Sequence, residues 1–255
     1  LVFKNNKSLL EFEEELTITS KVSGFLKNKK RVEEINSFYD GNWWVQDLTS
    51  SFPLNNISED LINKSCFDMC AAPGGKSFQI LSKNKNIVLN DKSKKRIKIL
   101  NNNLKRLKFN PQVLNIDITK DDHRNKYDFI IIDAPCSSVG TIRKNPDILF
   151  KKNQKNFSTL LKTQSLMLEK ASSMLTNNGV ILYMVCSFLK EETTVQIEKF
   201  LKNYKYFHVD EFSLKDENLQ YNSLLKNKHM STVPTRIKGF NIDGYFAVLL
   251  KKNEK

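Results

Sequence analysis

The stretch SCFDMCAAPGGKS, residues 65–77, decides the fold. Ser65 to Met69 is a short, mostly apolar run carrying an acid near its end, the form of a buried strand. It passes directly into Cys70, Ala71, Ala72, Pro73, Gly74, Gly75 and Lys76. Small residues in such a turn let backbone N–H groups and the start of a helix approach a ligand closely, so a carboxylate or phosphate is expected there.

Working outward, the same pattern recurs. Short apolar runs at Ile87 to Asn90, Val113 to Ile116, Phe129 to Ile132 and Val180 to Val185 alternate with longer helical stretches. Lys92 to Lys108 is the clearest helix, because Ile97, Leu100, Leu104 and Leu107 fall on one face and the basic residues on the others. Strands alternating with helices predict a doubly wound α/β fold, a mostly parallel sheet covered on both faces. After a last helix at Glu191 to Leu201, Phe207 to Val209 and Tyr245 to Leu250 are expected to close the sheet as an antiparallel pair.

The 255 residues and 40% hydrophobic content suffice for one substantial core with a small appendage. Residues 1–40 are weakly patterned, with acids at Glu11, Glu13, Glu14 and Glu15 followed by bases from Lys27 to Arg31. They read as the end of a smaller unit, and residues 41–255 as the main domain. No apolar run approaches the roughly 18 residues that span a bilayer, and the opening LVFKNNKSLLEFEEEL is too charged for a secretory core. A cytoplasmic protein is expected, with a monomer as the simplest state.

A net charge of +13 favours a polyanionic partner, nucleic acid first, since lysines that neutralise phosphates release counterions. Against this, the polar positions are dominated by Lys and Asn, and Arg, the better phosphate fork, occurs only 6 times. The four cysteines, Cys66, Cys70, Cys136 and Cys186, stand scattered in a Lys-rich chain and read as reduced thiols. His123, His208 and His229 are not spaced with them as zinc ligands, so no metal is expected.

Asp91 closes its strand 23 residues after Asp68, the placement of an acid that hydrogen-bonds ribose hydroxyls, and Asp117 after the third strand is set to hold an adenine amino group. The glycines do not form GxGxxG, which disfavours NAD. Gly74 and Gly75 could merely make a tight turn, and the acids merely end strands. Three strand-end acids in step with the turn argue instead for a nucleoside cofactor.

CAAPGGKS at 70–77, YDFIIIDAPCSSVGTIRKNPD at 127–147 and ILYMVCSFLKEE at 181–192 together resemble the Sun/Nol/NOP2 (RsmB-like) family of RNA cytosine-5 methyltransferases. NWWVQDLTSS at 42–51 and IDGYFAVLLKK at 242–252 resemble the segments that lead into and close that family's catalytic domain. The resemblance implies a Rossmann-like, class I S-adenosylmethionine-dependent methyltransferase with a seven-stranded sheet. Position by position, Cys70, Ala71, Ala72, Pro73, Gly74, Gly75 and Lys76 would hold the methionine portion of S-adenosylmethionine, Asp91 its ribose and Asp117 its adenine. Asp133 would lie between cofactor and cytosine, Cys186 would be the nucleophile, and Cys136 the second cysteine that helps release product. Residues 1–40 resemble the end of the small domain in bacterial members acting on small-subunit ribosomal RNA, which makes rRNA the first substrate expected and tRNA the second. Two departures stand out: Val185 where the family usually has Thr or Ser before the nucleophile, and Ser138 and Val139 where it usually has Gly-Thr.

The chemistry accounts for these residue types. Carbon 5 of cytosine is a poor nucleophile, so a thiolate must add at carbon 6 before carbon 5 can take a methyl group. Cysteine suits the step because its thiolate is strongly nucleophilic near neutral pH. The carbon 5 proton must then leave and the thiol be expelled, which calls for a second group nearby. Cysteines at strand ends usually just pack, and Cys66 is read that way. The base must leave its stack to reach such a pocket. Arg143, Lys144, Lys151, Lys152 and Lys155 follow the second-cysteine motif and are candidates to hold the RNA backbone. Two other readings are a non-catalytic RNA-binding or ribosome-assembly factor on the same fold, and a methyltransferase for a small molecule or protein.

Overall fold

The computed structural model describes residues 1–28, 30–150, 154–214, 221, 223–226, 228–237 and 239–254. At the amino end, β1 (Val2–Phe3), β2 (Leu16–Ser20), β3 (Ser23–Leu26) and β4 (Trp43–Trp44) pair antiparallel in the order β2-β3-β1-β4, with α1 (Asn6–Leu10) after β1. Phe3, Leu9, Ile35 and Trp43 form a small core of their own. Because β4 pairs with β1, this sheet takes in residues beyond 40. Arg106 ties it to the main body by donating to Phe38 O at 2.8 Å and Trp43 O at 3.0 Å.

Helices α2 (Leu48–Asn55) and α3 (Glu59–Ile62) lead into the main sheet. There β5 (Cys66–Asp68), α4 (Gly75–Leu81), β6 (Ile87–Asn90), α5 (Lys94–Arg106), β7 (Gln112–Leu114), β8 (Tyr127–Asp133), α6 (Gln154–Met174), β9 (Leu175–Val185), α7 (Thr194–Asn203) and β10 (Phe207–Asp210) follow in turn. Next come β11 (Leu225–Lys226), β12 (His229–Thr232), a hairpin of β13 (Thr235–Ile237) and β14 (Phe240–Ile242), and β15 (Tyr245–Lys252). The spatial order is β7-β6-β5-β8-β9-β15, parallel up to β9 and antiparallel at β15. The outer edge of β15 is shared by β10 along one half and β12 along the other. The expected seven strands are thus present, with β11 and β12 added at the edge.

Both faces of this sheet are buried, and the side-chain alternation of a strand sorts residues between two cores. Phe129 and Ile131 of β8 and Val180, Leu182 and Met184 of β9 join one core, under α2, α4 and α5. Ile130 and Ile132 of β8 and Ile181, Tyr183 and Val185 of β9 join the other, under α6 and α7. β5 lies between β6 and β8, so the chain winds one way through β6 and β7 and the other way through β8 and β9. At such a reversal the loops after adjacent strands diverge and leave a crevice.

Three elements differ from the sequence expectation for local reasons. β7 ends at Leu114, because Ile116 N donates to the Asn90 side chain at 3.1 Å instead of continuing the ladder. α5 starts at Lys94, capped by the Ser93 hydroxyl. The segment Lys190–Glu192 forms a 3-10 turn before α7, and the Glu192 side chain reaches across to the β8 loop. Among the described residues, no helix is long and apolar enough to cross a membrane.

Two buried polar side chains shape the strand ends. Asn90 donates to Met69 O at 3.1 Å and Ile116 O at 3.2 Å while accepting from Ile116 N, fastening the ends of three strands. Asp68 accepts from Ser77 Oγ at 2.7 Å and Cys70 N at 3.2 Å, closing the turn between β5 and α4. Burial pushes its carboxyl up to about 7. Gly74 sits at φ +122°, and a Cβ there would lie 1.9 Å from the Phe78 ring, so glycine is required.

Asn90→Ala should lower unfolding free energy by about 1–3 kcal/mol, because buried backbone groups lose their partners; a denaturant midpoint equal to that of the native chain would contradict the role. An acid whose folded pKa exceeds its unfolded one takes up a proton on folding, so its contribution is full at low pH and is lost as pH rises toward 7. Asp68→Asn should therefore gain about 1–3 kcal/mol relative to the native chain between pH 5 and pH 8. Parallel stability curves for the two proteins would rule this out.

Candidate active site

β8 and β9 run in the same direction with Asp133 opposite Met184, so the residues that leave each strand emerge at one edge. Cys136 and Cys186 meet there with their sulfurs 3.4 Å apart. The approach is held by backbone contacts: Ala134 N donates to Met184 O at 2.9 Å, and Gly140 N to Cys186 O at 3.0 Å. A Cβ on Gly140 would stand 1.9 Å from Gly244 O, so only glycine lets the loop lie this close to β9 and β15.

The loop after Cys136 is clamped by Glu192, a fully buried carboxylate. It accepts from Ser137 N at 2.8 Å, Ser137 Oγ at 2.5 Å and Gln164 Nε2 at 3.1 Å. Gln164 also donates to Pro135 O at 3.0 Å. The donors offset the cost of burying the charge, and they fasten the loop carrying one cysteine to the loop that follows the other.

The two thiols are not equivalent. The hydrogen bond with Cys136 holds the Cys186 thiol below its ordinary range; burial and the charge of Asp133 oppose this, and the Ser138 hydroxyl and the nearby Lys76 charge add to the lowering. Cys136 is pushed up by the same hydrogen bond, by burial and by the charge of Glu192. Val185 is buried in the core beneath α6 and α7, so the residue before Cys186 supplies packing and no hydroxyl.

Beside the sulfurs stands Asp133, whose Oδ2 accepts from Lys76 Nζ at 2.7 Å and whose Oδ1 lies 3.4 Å from Tyr245 Oη. A cleft of about 330 Å³ runs from this cluster along the ends of β5, β6 and β7, walled by Cys70, Asp91, Asp117, Asp133, Cys136 and Cys186 among others. Asp91 is 2% exposed. Its Oδ1 accepts from Ser93 N at 2.9 Å, and its Oδ2 pairs with Arg96 Nη1 at 3.0 Å but has no aligned hydrogen-bond donor. Asp117 accepts through Oδ1 from both Thr119 N and Thr119 Oγ1, bonds that lower its carboxyl despite burial.

The structure thus brings together Asp91, Asp117, Asp133, Cys136, Cys186, Cys70 and, through Asp133, Lys76. Ala71, Ala72, Pro73, Gly74 and Gly75 do not line the cleft. Ala71 and Ala72 are buried, and the Ala72 and Pro73 carbonyls accept from Arg96 and Asn103 of α5. Cys66 packs as expected, its thiol pushed up to about 12 by burial. Arg143 and Lys144 are exposed and pair with acids of this chain: Arg143 with Asp243 at 3.0 Å, and Lys144 with Asp47 at 2.6 Å and Asp243 at 2.7 Å. Lys151 and Lys152 lie outside the described residues, and Lys155 falls in the first turn of α6. Among the described residues no group of three or more His, Cys, Asp or Glu is placed to hold a metal ion.

Sequence reasoning missed Asn90, Glu192, Gln164, Arg96 and Tyr245. Glu192 stands within a quoted motif, but two adjacent acids at the start of a helix look like ordinary surface charge. Arg96 looks the same on a basic helix.

Comparison with known proteins agrees with this geometry. The 16S rRNA methyltransferase RsmB/F family model matches residues 56–251. Ribosomal RNA small subunit methyltransferase B of Pasteurella multocida is 31% identical over 231 residues, covering 87% of this chain and 49% of that protein. NSun6 from Pyrococcus horikoshii, solved with SFG, an S-adenosylmethionine analogue, superposes with a TM-score of 0.72 at 25% identity, over 92% of this chain and 60% of that one. A methyltransferase homolog protein from the same organism shares the fold, with a TM-score of 0.75 at 20% identity over 98% of this chain and 85% of that one. The fold is that of class I methyltransferases, and the chain spans about half the length of the curated relatives it matches. With the match running from just after α2 to the last strand, the chain belongs to the 16S rRNA methyltransferase RsmB/F family.

Proposed function

We propose that the protein methylates carbon 5 of cytosine in RNA, with S-adenosylmethionine as donor and Cys186 as covalent nucleophile. The observation that carries this reading is the pair of cysteine sulfurs 3.4 Å apart beside the Lys76–Asp133 pair, at the end of a cleft that reaches Asp91 and Asp117. Small-subunit rRNA is the first substrate and tRNA the second, with a cytoplasmic monomer as the working form. The boundary expected at residue 40 is moved past β4, which pairs with β1, so the small amino-terminal sheet is read as one unit and the rest of the chain as the catalytic domain.

The residues present fit the cofactor. The buried Asp91 Oδ2, without an aligned donor, is suited to accept from ribose hydroxyls. Asp117 would accept from the adenine amino group, and Cys70 and Lys76, the two ends of the turn, would hold the methionine portion. When bound, S-adenosylmethionine supplies an electrophilic sulfonium methyl.

The chain's own residues do the rest. The Cys186 thiolate adds to carbon 6 of a flipped cytosine and raises electron density at carbon 5. Asp133, oriented by Lys76 and Tyr245, accepts from the cytosine amino group and steadies the adduct. After methyl transfer the carbon 5 proton leaves and the bond between carbon 6 and Cys186 breaks. With Cys186 held as a neutral thioether, Cys136 gives its own proton to solvent and its thiolate takes the carbon 5 proton, so that the double bond between carbons 5 and 6 re-forms and Cys186 leaves as a thiolate. Lys92, exposed at the cleft wall, is placed to meet a phosphate.

The division of labour tests the reading. Cys186→Ala should abolish methylation and form no covalent RNA complex. Cys136→Ala should accumulate a protein–RNA complex that survives denaturing electrophoresis, because addition proceeds and elimination stalls. The reverse pattern would move the nucleophile to Cys136.

A further inference from the structure

Ser138 has the wrong backbone for its side chain. It sits at φ +56° and ψ +21°, in the left-handed region, which costs an L-residue of this kind roughly 1 kcal/mol relative to glycine. The turn requires that conformation: Ser138 O accepts from Thr141 N and Thr141 Oγ1, each at 2.9 Å, turning the loop after Cys136 back toward Gly140. Glycine would make this turn without strain. A strained residue at a reactive centre invites the question of what its side chain supplies.

The hydroxyl gives the answer. Ser138 Oγ accepts from Cys186 Sγ at 3.4 Å, donates to Cys136 O at 3.4 Å and lies 3.9 Å from Cys136 Sγ, and Ser138 lines the cleft. The position of the residue before the nucleophile cannot supply such a group, because Val185 is buried on the other face of β9. We propose that Ser138 is a positioning residue, held at a glycine-demanding position so that its hydroxyl, which accepts from the Cys186 thiol while donating to Cys136 O, turns to donate to Cys186 when that thiol ionises and keeps it aimed into the cleft. The inference rests on Cys186 being the nucleophile.

The other groups facing this thiol are Cys136 and Asp133 from β8 and its loop, Lys76 from α4 and Tyr245 from β15, with Glu192 and Tyr183 facing Cys136. Lys76 is paired with Asp133, so its charge is largely met before it reaches the sulfur. The Ser138 hydroxyl is a short neutral donor that adjusts the thiolate without adding charge where the base must enter.

The test separates strain from chemistry with two variants, neither needing RNA nor cofactor. Alkylation of the free protein by iodoacetamide is followed against pH, with peptide mass spectrometry resolving the four cysteines, alongside thermal unfolding. Ser138→Gly removes both strain and hydroxyl, and Ser138→Ala removes only the hydroxyl. Both should slow Cys186 alkylation at pH 7 by about three- to tenfold and move its titration to higher pH, while Ser138→Gly unfolds at a higher temperature than the native chain. A Cys186 profile unchanged in the stably folded Ser138→Gly would overturn the proposal. Methylation is then assayed separately: if the alkylation shift appears but native protein transfers no methyl group to RNA, the proposed function fails while the role of Ser138 toward Cys186 stands.

Discussion

The parallel pairing of β8 with β9 is the constraint on which the rest of the molecule depends. With Asp133 opposite Met184, both strands deliver their next residues to one edge, and the Gly140 N–H bond to Cys186 O closes the gap behind them. An antiparallel pairing would send the two cysteines to opposite ends of the sheet. Parallel pairing needs a crossover, and α6 provides it while covering the second core. Strand burial, helix position and cysteine geometry are thus consequences of one topological choice.

Polar groups complete what topology begins. Glu192 fastens the β8 loop to the β9 loop, Asn90 fastens β5 to the ends of β6 and β7, and the Arg143–Lys144–Asp47–Asp243 cluster draws together segments distant in sequence. Each is satisfied by donors and acceptors on different elements, so the site's walls are cross-linked at the edge where the sheet itself ends. The net charge of +13 coexists with a cleft that gathers acids, Asp91, Asp117 and Asp133. Basic charge suits the outside, where phosphates would lie, and the acids suit a ligand rich in hydroxyl and amino groups.

Much of this was legible in the sequence. The FIII run of β8 reads as a strand because consecutive apolar residues fit only a sheet covered on both faces, and its alternation between the two cores follows. Asp91 and Asp117 were legible from their place after successive strands. The illegible parts depend on partners far away in the chain. Nothing near Arg143 and Lys144 announces Asp47 and Asp243, so the ion pairs these exposed side chains make within the chain are invisible in the sequence. The turn from Ala71 to Gly75 reads as a ligand cradle, yet most of it packs behind the wall, since the choice between facing a ligand and facing α5 is made by Arg96 and Asn103. Ser138 is a serine on paper, and only its backbone angle shows what it displaces.

RNA containing 5-fluorocytidine tests the central claim most directly. Fluorine at carbon 5 leaves no proton to remove, so addition and methyl transfer can proceed while elimination cannot. Incubated with such RNA and S-adenosylmethionine, the native protein should give a complex that survives denaturation, and peptide mass mapping should find the RNA on Cys186. Methyl transfer to ordinary RNA with no trapped complex, or a complex mapped to any other residue, would contradict the account.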